Sequence, residues 1–516
     1  MFGRVEPGIE PTRPPLPGGR RPGRSLLGER LPAGALGSLA IAALLVLVGA
    51  ATAVDPRLGA LIAVLCVAAW LAADSSRAST AFLTGLALIL VGYATLDRGF
   101  AHLGVNPIYV GEVVLGVGVV ATIARADRLQ LRPIPVLLAA FIAWGVIRTI
   151  PYLPTYGVDA LRDSVTYGYG LIALGVLVCV REEQIPRLIA AFARLVPLLL
   201  IWIPLGLLVT QFAPNATPSL PGLNVHLLDY KPGDAAVHLA GIAAFLLVGL
   251  DGGRRAGTAI RQVGTWALWL IGTAVAGIAN RGGMLALMSV AAVLLFTRSA
   301  RRWASLALTA AAVLSVLLVV NPDIRIGGGA RTISVGQVID NATSVVFASQ
   351  DTALQGTKDF RLQWWGTIAN YTIGGPYFWT GKGFGINLAD DDGFQPNADH
   401  SLRAPHNAHV EILARMGVPG LVLWVLLQVA FGAALLRAGL AAGRVGAAEW
   451  TARFAWVFVY WLAMIVNMSF DPYLEGPQGG IWFWAIFGFG LVLLEAWRRT
   501  EADAGARMRA IAPVHG

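Results

Sequence analysis

The sequence has little charge and almost no cysteine. Only 13% of its 516 residues are charged, whereas a soluble domain carries about 25%. Together with a hydrophobic share of 56%, this excludes an ordinary soluble globular protein. The two cysteines, Cys66 and Cys179, lie inside apolar runs, so nothing points to a disulfide framework. A nucleotide-binding loop is also missing, because the glycine-rich stretch at 381–385 lacks its spacing.

Long apolar runs recur from about residue 35 almost to the end of the chain. A membrane helix needs about 20 mostly apolar residues, and membrane helices tolerate the abundant Gly and Pro. We therefore predict an all-α fold: a polytopic transmembrane helical bundle of about 12–14 spans, with a long external loop that carries short amphipathic helices. The candidate spans are 35–54, 58–73, 79–96, 107–124, 133–152, 163–180, 187–212, 234–250, 263–280, 282–297, 303–320, 418–436, 453–470 and 480–497.

Arginine is distributed unevenly between the connecting segments. If residues 1–34 are placed in the cytoplasm and the spans alternate, the inner segments carry most of the arginines, for example Arg125, Arg128 and Arg132, and the outer segments carry few. This is the bias expected of membrane proteins. It predicts an even number of spans with both termini in the cytoplasm. The high content of Ala, Gly and Arg is typical of a GC-rich bacterium.

The alternation divides the chain into five segments. Residues 1–34, rich in Pro, Gly and Arg, predict a disordered cytoplasmic tail, since a signal peptide has a much shorter charged leader. We then predict an N-terminal transmembrane bundle at 35–320, a long external catalytic loop at 321–417, C-terminal transmembrane helices at 418–497 and a cytoplasmic tail at 498–516. Topology explains the net charge of +9, so no nucleic-acid partner is expected.

Arg281 is the first candidate for the functional site. It lies between two apolar runs, in Ala-Asn-Arg-Gly-Gly-Met-Leu, at the predicted outer membrane boundary. Charges at such a boundary are costly and usually functional. The two glycines allow a large ligand to approach the backbone. The alternative is an arginine that extends to the lipid headgroups, and we favour the functional interpretation.

Arg361 is the second candidate. It opens an amphipathic segment rich in Trp and Tyr that leads to Gly-Lys-Gly-Phe-Gly-Ile-Asn at 381–387. One interpretation is an interfacial helix within an aromatic belt. The other is a phosphate-binding arginine. The residues alone leave both open.

The stretch 404–420 supplies the third candidate. It predicts a short helix that starts at Pro405 and stops at Gly417, before the next span. His406 and His409 are three residues apart, so they share a face near the start of this helix. A histidine changes protonation near neutral pH, which suits acid–base chemistry.

Metal binding by this region is a weaker hypothesis. His406 and His409 are close in sequence to Glu411 and to Asp390–Asp392, but the spacing matches no standard zinc site. We expect the acidic run to form a solvated turn beside Gly393. Neither a metal nor another cofactor is therefore expected.

Lys231 and Asp234 lie at the mouth of the span that starts near residue 234, with His238 one turn further in. A cation at this mouth could reach a phosphate. An equally good interpretation is a helix-entry turn with an acidic residue in its first turn.

Taken in order, these motifs resemble the O-antigen ligase family. Arg281 with Leu285 resembles its Arg-x-x-x-Leu signature, and His406 with Gly417 resembles its His-x(10)-Gly signature. The His-Asn start and the Gly-x-x-Gly end of the latter are typical of the wider O-antigen ligase and polymerase superfamily of bacterial polysaccharide ligase-polymerase membrane proteins. Arg361, followed by Gly-x-Gly-Phe-Gly, is similar to that family's long outer loop. The motifs cover about 281–420, and the earlier spans match in layout alone.

The resemblance implies glycosyl transfer on the outer face of the cytoplasmic membrane. The donor would be a glycan on a polyprenyl pyrophosphate, typically undecaprenyl, and the acceptor a hydroxyl on a glycan, glycolipid or protein. Transfer would be metal-independent and would invert the anomeric centre. The catalytic residues would be His406, Arg281 and Arg361. Contacts to the pyrophosphate or the acceptor would come from Lys231, Asn407, His409 and His238.

Two positions depart from the family's pattern. Many members have an acidic residue where this chain has Arg415, and an arginine where it has Lys231. The assignment of Lys231 therefore carries over less directly than that of Arg281 or His406.

Three other functions stay open at this stage. A polysaccharide polymerase of the same superfamily would use the same donor with another acceptor. A lipid-linked glycan flippase or transporter would need polar groups near the bilayer midplane, whereas here the ionisable residues cluster at the outer boundary. A structural protein of the cell envelope would not need Arg281, Arg361 and His406 to converge.

Overall fold

The structure is a computed structural model, and it describes residues 56–105, 108–221, 225–251, 259–297, 300–320, 324–326, 331–333 and 352–511. By its internal contacts the chain divides into residues 1–69 and 70–516. Of the first unit the structure describes only residues 56–69, which belong to a helix. The packing and the candidate site lie within the second unit.

Long helices make up most of the described chain. They are α1 (Pro56–Ala72), α2 (Ser75–Leu96), α3 (Val110–Ala124), α4 (Pro133–Thr149), α5 (Gly170–Cys179), α6 (Ile185–Phe212), α7 (Pro232–Val248), α8 (Ala259–Ala279), α9 (Arg281–Met288), α10 (Ala300–Val320), α11 (Thr352–Thr372), α12 (Ala408–Arg444), α13 (Ala448–Asn467) and α14 (Pro477–Ile511).

Shorter elements connect them. The short α-helical turns are Arg98–Ala101, Leu153–Tyr156, Val158–Asp163, Val165–Gly168 and Leu388–Asp391. The 3₁₀ segments are Ala126–Arg128, Ile150–Tyr152, Glu182–Gln184, Pro214–Ala216 and Ser289–Leu295. Strand β1 (Gly104–Val105) pairs antiparallel with β2 (Ile108–Tyr109), and β3 (Ile324–Ile326) pairs antiparallel with β4 (Arg331–Ile333).

Helices occupy the predicted spans. Each candidate span from 58–73 onward coincides with helix in the described chain, whereas 35–54 lies outside the described residues. In the part of the chain that the structure describes, five helical stretches are long and apolar enough to cross a membrane: Ser75–Leu96, Pro133–Tyr156, Glu182–Phe212, Ala408–Arg444 and Pro477–Asp503. The prediction of a polytopic, helical membrane protein is thereby confirmed. The number of spans, the segment limits and the side on which each terminus lies stay predictions.

The core lies where α12, α13 and α14 pack together with α7. Trp424 of α12 is buried against Phe141 of α4 and Trp484 of α14. Phe431 of α12 stacks on Phe487 of α14, with 3.8 Å between ring centroids. Large aromatic residues therefore hold α12 and α14 side by side, and the starts of both helices come to the same end of the bundle as the end of α13.

Helix α12 is sharply kinked at Gly417. This residue has φ 68° and ψ −172°, outside the helical region. A Cβ there would lie 2.5 Å from the carbonyl oxygen of Phe378, so glycine is required. The predicted break at Gly417 is thus confirmed. The predicted start at Pro405 is wrong, because Asn407 is the N-cap, its side chain accepting from the amides of His409 and Val410, and the first helical residue is Ala408.

A buried ion-pair network connects residues 386–415 to Asp163, in the short helical turn before α5. The Arg415 guanidinium pairs with Asp163 at 3.0 Å and with Glu411 at 2.8 Å, and it donates to the carbonyl of Ile386 at 3.2 Å. Arg403 pairs with the same Asp163 carboxylate at 3.1 Å. Arg415, which departs from the family's pattern, therefore has partners that match its charge.

The acidic run Asp390–Asp392 is not a solvated turn throughout. Asp390 is exposed and pairs with His400 at 2.8 Å. The Asp392 side chain, in contrast, is fully buried, since it accepts from the Trp364 indole at 2.7 Å and pairs with Lys382. The expectation is wrong for Asp392 because the packing of α11 covers it.

Candidate functional site

The turn 468–471, between α13 and α14, is the centre of the candidate site. The first amide of α12, that of Ala408, donates to the carbonyl of Met468 at 2.8 Å. One residue on, the His409 ring lies 3.1 Å from the hydroxyl of Ser469. The start of α12 is therefore held against this turn.

The starts of α9 and α7 meet the same turn through glycines. A Cβ on Gly282 would lie 2.8 Å from the Cβ of Phe470. A Cβ on Gly233 would lie 3.2 Å from a carboxylate oxygen of Asp471 and 2.8 Å from the side-chain nitrogen Nδ2 of Asn280. The backbones approach this closely only because these residues lack side chains. Three helix N-termini thus surround one turn, and helix N-termini favour anions.

Helix α11 brings Arg361 to this place. Arg361 and Trp365 are four residues apart and share a face. The Arg361 guanidinium donates to the carbonyl of Phe470 at 3.1 Å, while the Trp365 indole donates to the carbonyl of Pro405 at 2.8 Å. Since Pro405 precedes His406, the same helix face fixes the predicted base and the predicted phosphate-binding arginine.

His406 has an unusual backbone. Its φ is +52°, a left-handed conformation that residues other than glycine rarely adopt. Such strain persists only where the surroundings hold it, and it is common at functional sites. Here the Pro405 carbonyl on one side and the capped start of α12 on the other fix the residue.

The surroundings of His406 favour the neutral imidazole. Burial lowers its pKa most, and the positive charges of Arg361 and Lys231 lower it further, whereas Asp471 and Glu411 oppose this shift. The net direction is downward from the ordinary histidine value. A base must be neutral before it accepts a proton, so this environment suits general-base chemistry.

Lys231 lies directly before α7 at the same turn. Its ammonium is 3.5 Å from the Asp471 carboxylate, and its backbone amide donates to Asp97 at 2.5 Å. Burial opposes its charged form, but the carboxylates of Asp471 and Asp234 raise its pKa above the ordinary lysine value. Lys231 is therefore a fixed cation, with 28% of its side chain exposed.

Arg281 is the first residue of α9. The preceding Asn280 is the N-cap, and its side chain accepts from the amide of Gly283 at 3.2 Å. The Arg281 side chain lies outside the described residues, but its helix begins at the 468–471 turn. The backbone at Arg281 therefore lies at the same turn as Arg361, Lys231 and His406.

The remaining predicted residues have structural partners. Asn407 caps α12. His409 accepts from the Trp424 indole at 2.9 Å through one ring nitrogen and lies 3.1 Å from Ser469 through the other. His238 is buried within α7 and lies 2.7 Å from the hydroxyl of Tyr460. Substrate contacts by these three residues stay predictions.

Sequence reasoning missed Asp471 and Asp97. Asp97 directly follows α2, and Asp471 lies in the turn after α13. An ionisable residue at the end of an apolar helix is the same kind of signal that singled out Arg281. The sequence could not show their importance, because their common partner, Lys231, lies far away along the chain. The Lys231 ammonium pairs with Asp471, and the Lys231 amide donates to Asp97.

A pair of buried carboxyl groups lies next to the site. Glu475 lies near Glu411, and burial, then the charge of Glu411, raises the pKa of Glu475 well above its usual range. Glu475 is therefore the protonated partner, and its proton lets both carboxyl groups stay buried. Across the residues that the structure describes, no cluster of three or more His, Cys, Asp and Glu side chains is arranged to hold a metal ion.

Comparison with known proteins supports the motif resemblance. Residues 266–425 match a protein family described as O-antigen ligase. This region is less than a third of the chain, and it contains α9, α11 and the start of α12, with Arg281, Arg361 and His406. A comparison with curated proteins gives no match. The predicted resemblance is confirmed: residues 266–425 of this membrane protein are similar to the O-antigen ligase family.

Proposed function

We propose that the protein is a membrane glycosyltransferase that moves a glycan from a polyprenyl (undecaprenyl) pyrophosphate to an acceptor hydroxyl on the outer face of the cytoplasmic membrane. The observation that carries this proposal is the convergence of Arg361, Lys231, His406 and the start of α9 on one turn. These residues come from four separate parts of the chain. Together they supply positive charge and one neutral imidazole at one end of the bundle.

The pyrophosphate binds among the cations. Arg361 and Arg281 donate charge-assisted hydrogen bonds to the phosphate oxygens, which suit the fork of a guanidinium. Lys231 adds a positive charge, and the N-termini of α7, α9 and α12 add backbone donors. As the bond between the anomeric carbon and the phosphate oxygen breaks, the growing negative charge on that oxygen is stabilised by these groups.

His406 activates the acceptor. Its neutral ring accepts the hydroxyl proton while the acceptor oxygen forms the new bond to the anomeric carbon. The leaving group is the polyprenyl pyrophosphate, and His406 returns its proton to solvent after the reaction. A single direct displacement inverts the configuration of the anomeric carbon, and no step requires a metal ion.

The test is transfer by purified protein in lipid nanodiscs. A lipid-linked oligosaccharide with a labelled glycan is mixed with a panel of acceptors, and the products are identified by mass. We expect transfer by the wild type, and we expect His406→Ala to lose it by about 10²–10⁴-fold, the contribution typical of a general base. His400→Ala is the matched control, because His400 is an exposed histidine that pairs only with Asp390 among the described residues.

The acceptor panel separates the two members of the superfamily. Transfer to a second lipid-linked glycan would indicate a polymerase, and transfer to a glycolipid or protein a ligase. Normal transfer by His406→Ala would remove the assigned base. If the wild type only moves the labelled lipid between leaflets, the protein is a flippase and the enzyme proposal is wrong.

A further inference from the structure

We propose that Asp97 is a positioning residue for Lys231: its buried carboxyl holds the start of α7 and thereby keeps the Lys231 ammonium at the 468–471 turn. The geometric basis is a direct hydrogen bond, since the Lys231 amide donates to the Asp97 carboxyl at 2.5 Å. The two residues are 134 positions apart in the chain. The contact therefore joins the end of α2 to the mouth of α7.

The backbone around Asp97 is built for this contact. Asp97 has φ 51° and ψ −123°, a conformation that favours glycine, yet the residue is an aspartate and is only 2% exposed. The neighbouring Arg98 amide donates to the carbonyl of Asp229 at 3.2 Å, and the hydroxyl of Tyr230 donates to the carbonyl of Ala94 at 2.6 Å. The segment before Lys231 is thus fastened to the end of α2 at three successive residues.

The carboxyl of Asp97 has a second partner. The Asp234 carboxyl, in the first turn of α7, interacts with it. Burial, followed by Asp234, raises the pKa of Asp97 well above its usual range. This direction favours a protonated Asp97, whose carboxyl accepts from the Lys231 amide and has a proton to donate to Asp234.

These contacts give the strained Asp97 backbone a function, because the carboxyl of Asp97 holds the Lys231 amide. Glycine would relieve the backbone but would remove the carboxyl. Asparagine has almost the same shape as a protonated aspartate, since it can accept from Lys231 through its oxygen and donate to Asp234 through its nitrogen. The proposal consequently predicts opposite outcomes for these two substitutions.

The first experiment tests the position of Lys231 independently of the reaction. The chain has only three lysines, Lys231, Lys358 and Lys382, so labelling of each by an amine-reactive reagent can be read from peptide masses. In Asp97→Gly we expect Lys231 to label at least threefold faster, because its amine is less well held and more often neutral. Lys358 and Lys382 should label as in the wild type, and Asp97→Asn should resemble the wild type at all three. Unchanged labelling of Lys231 in Asp97→Gly would overturn the proposal.

The second experiment rests on the proposed function and measures the affinity for undecaprenyl pyrophosphate. Both Asp97→Gly and Lys231→Ala should bind it about tenfold more weakly. If Asp97 acts through Lys231, the double variant should be no weaker than Lys231→Ala alone. Additive losses would overturn the positioning role. If the wild type does not bind the probe while the labelling result holds, the positioning role stands and the assigned donor is wrong.

Discussion

Replacement of Arg361 by alanine is the most informative perturbation of the site. The Arg361 guanidinium lies beside the 468–471 turn and donates to the carbonyl of Phe470. It is also the neighbouring charge that most lowers the pKa of His406. The substitution therefore removes two effects at once: a cation for the pyrophosphate and an influence that keeps the base neutral.

The expected magnitude follows from these contacts. A donor directed at developing negative charge contributes about 2.7–4 kcal/mol, or about 10²–10³-fold in kcat. Arg361 is half-buried, so solvent screens part of this interaction and we expect about 10²-fold, near the lower limit. Arg361→Lys keeps the charge but loses the planar fork. Loss of one charge-assisted hydrogen bond of about 1.5 kcal/mol predicts a decrease of about tenfold.

The pH dependence gives an independent measurement. His406 must be neutral to act as the base, so the rate falls as the pH drops through its pKa. In the wild type we expect this fall below pH 6.5, the ordinary histidine value, because the pKa is lowered. In Arg361→Ala the pKa of His406 rises, and the fall should begin at a higher pH. Arg361→Lys should leave it close to the wild-type position.

The assay is kcat/KM for transfer from the labelled lipid-linked oligosaccharide, measured between pH 5 and pH 8 in nanodiscs. Arg162→Ala is the control, because 52% of the Arg162 side chain is exposed and it pairs with Asp159 and Asp163, outside the site. A rate for Arg361→Ala within twofold of the wild type would refute the phosphate role. A lowered rate with an unshifted acidic limb would refute the electrostatic link between Arg361 and His406.

Two further predictions concern the scaffold of the site. Arg415→Met removes the buried cation that pairs with the carboxylates of Asp163 and Glu411. Because breaking a buried ion pair costs about 3–5 kcal/mol, the melting temperature in detergent should fall. An unchanged melting temperature would contradict the network. Asn407→Ala removes the N-cap of α12 at a cost of about 1 kcal/mol. Asn407→Asp should keep the cap, and equal hydrogen exchange at the start of α12 in both variants would exclude a capping role.

Local features of the chain were predictable from sequence. Apolar runs of sufficient length produce helices in a membrane because the backbone must satisfy its hydrogen bonds internally, and the predicted spans coincide with helices throughout the described chain. The break at Gly417 was predicted from the glycine just before Pro419, and the structure shows the reason, since no other residue tolerates its conformation so close to Phe378. Arg281, Arg361 and His406 were singled out by type and spacing alone.

The sequence by itself therefore determined the membrane class, the helices and the residue types of the candidate site. Only the tertiary structure decided how these meet: that Trp365 binds the segment before His406, that Asp471 pairs with Lys231, and that Asp97 supports Lys231 from α2. The physical reason is that these contacts join residues far apart in the chain. Helix periodicity and turn signals act over a few residues, whereas the packing of α7, α12 and α14 sets which helix ends become neighbours.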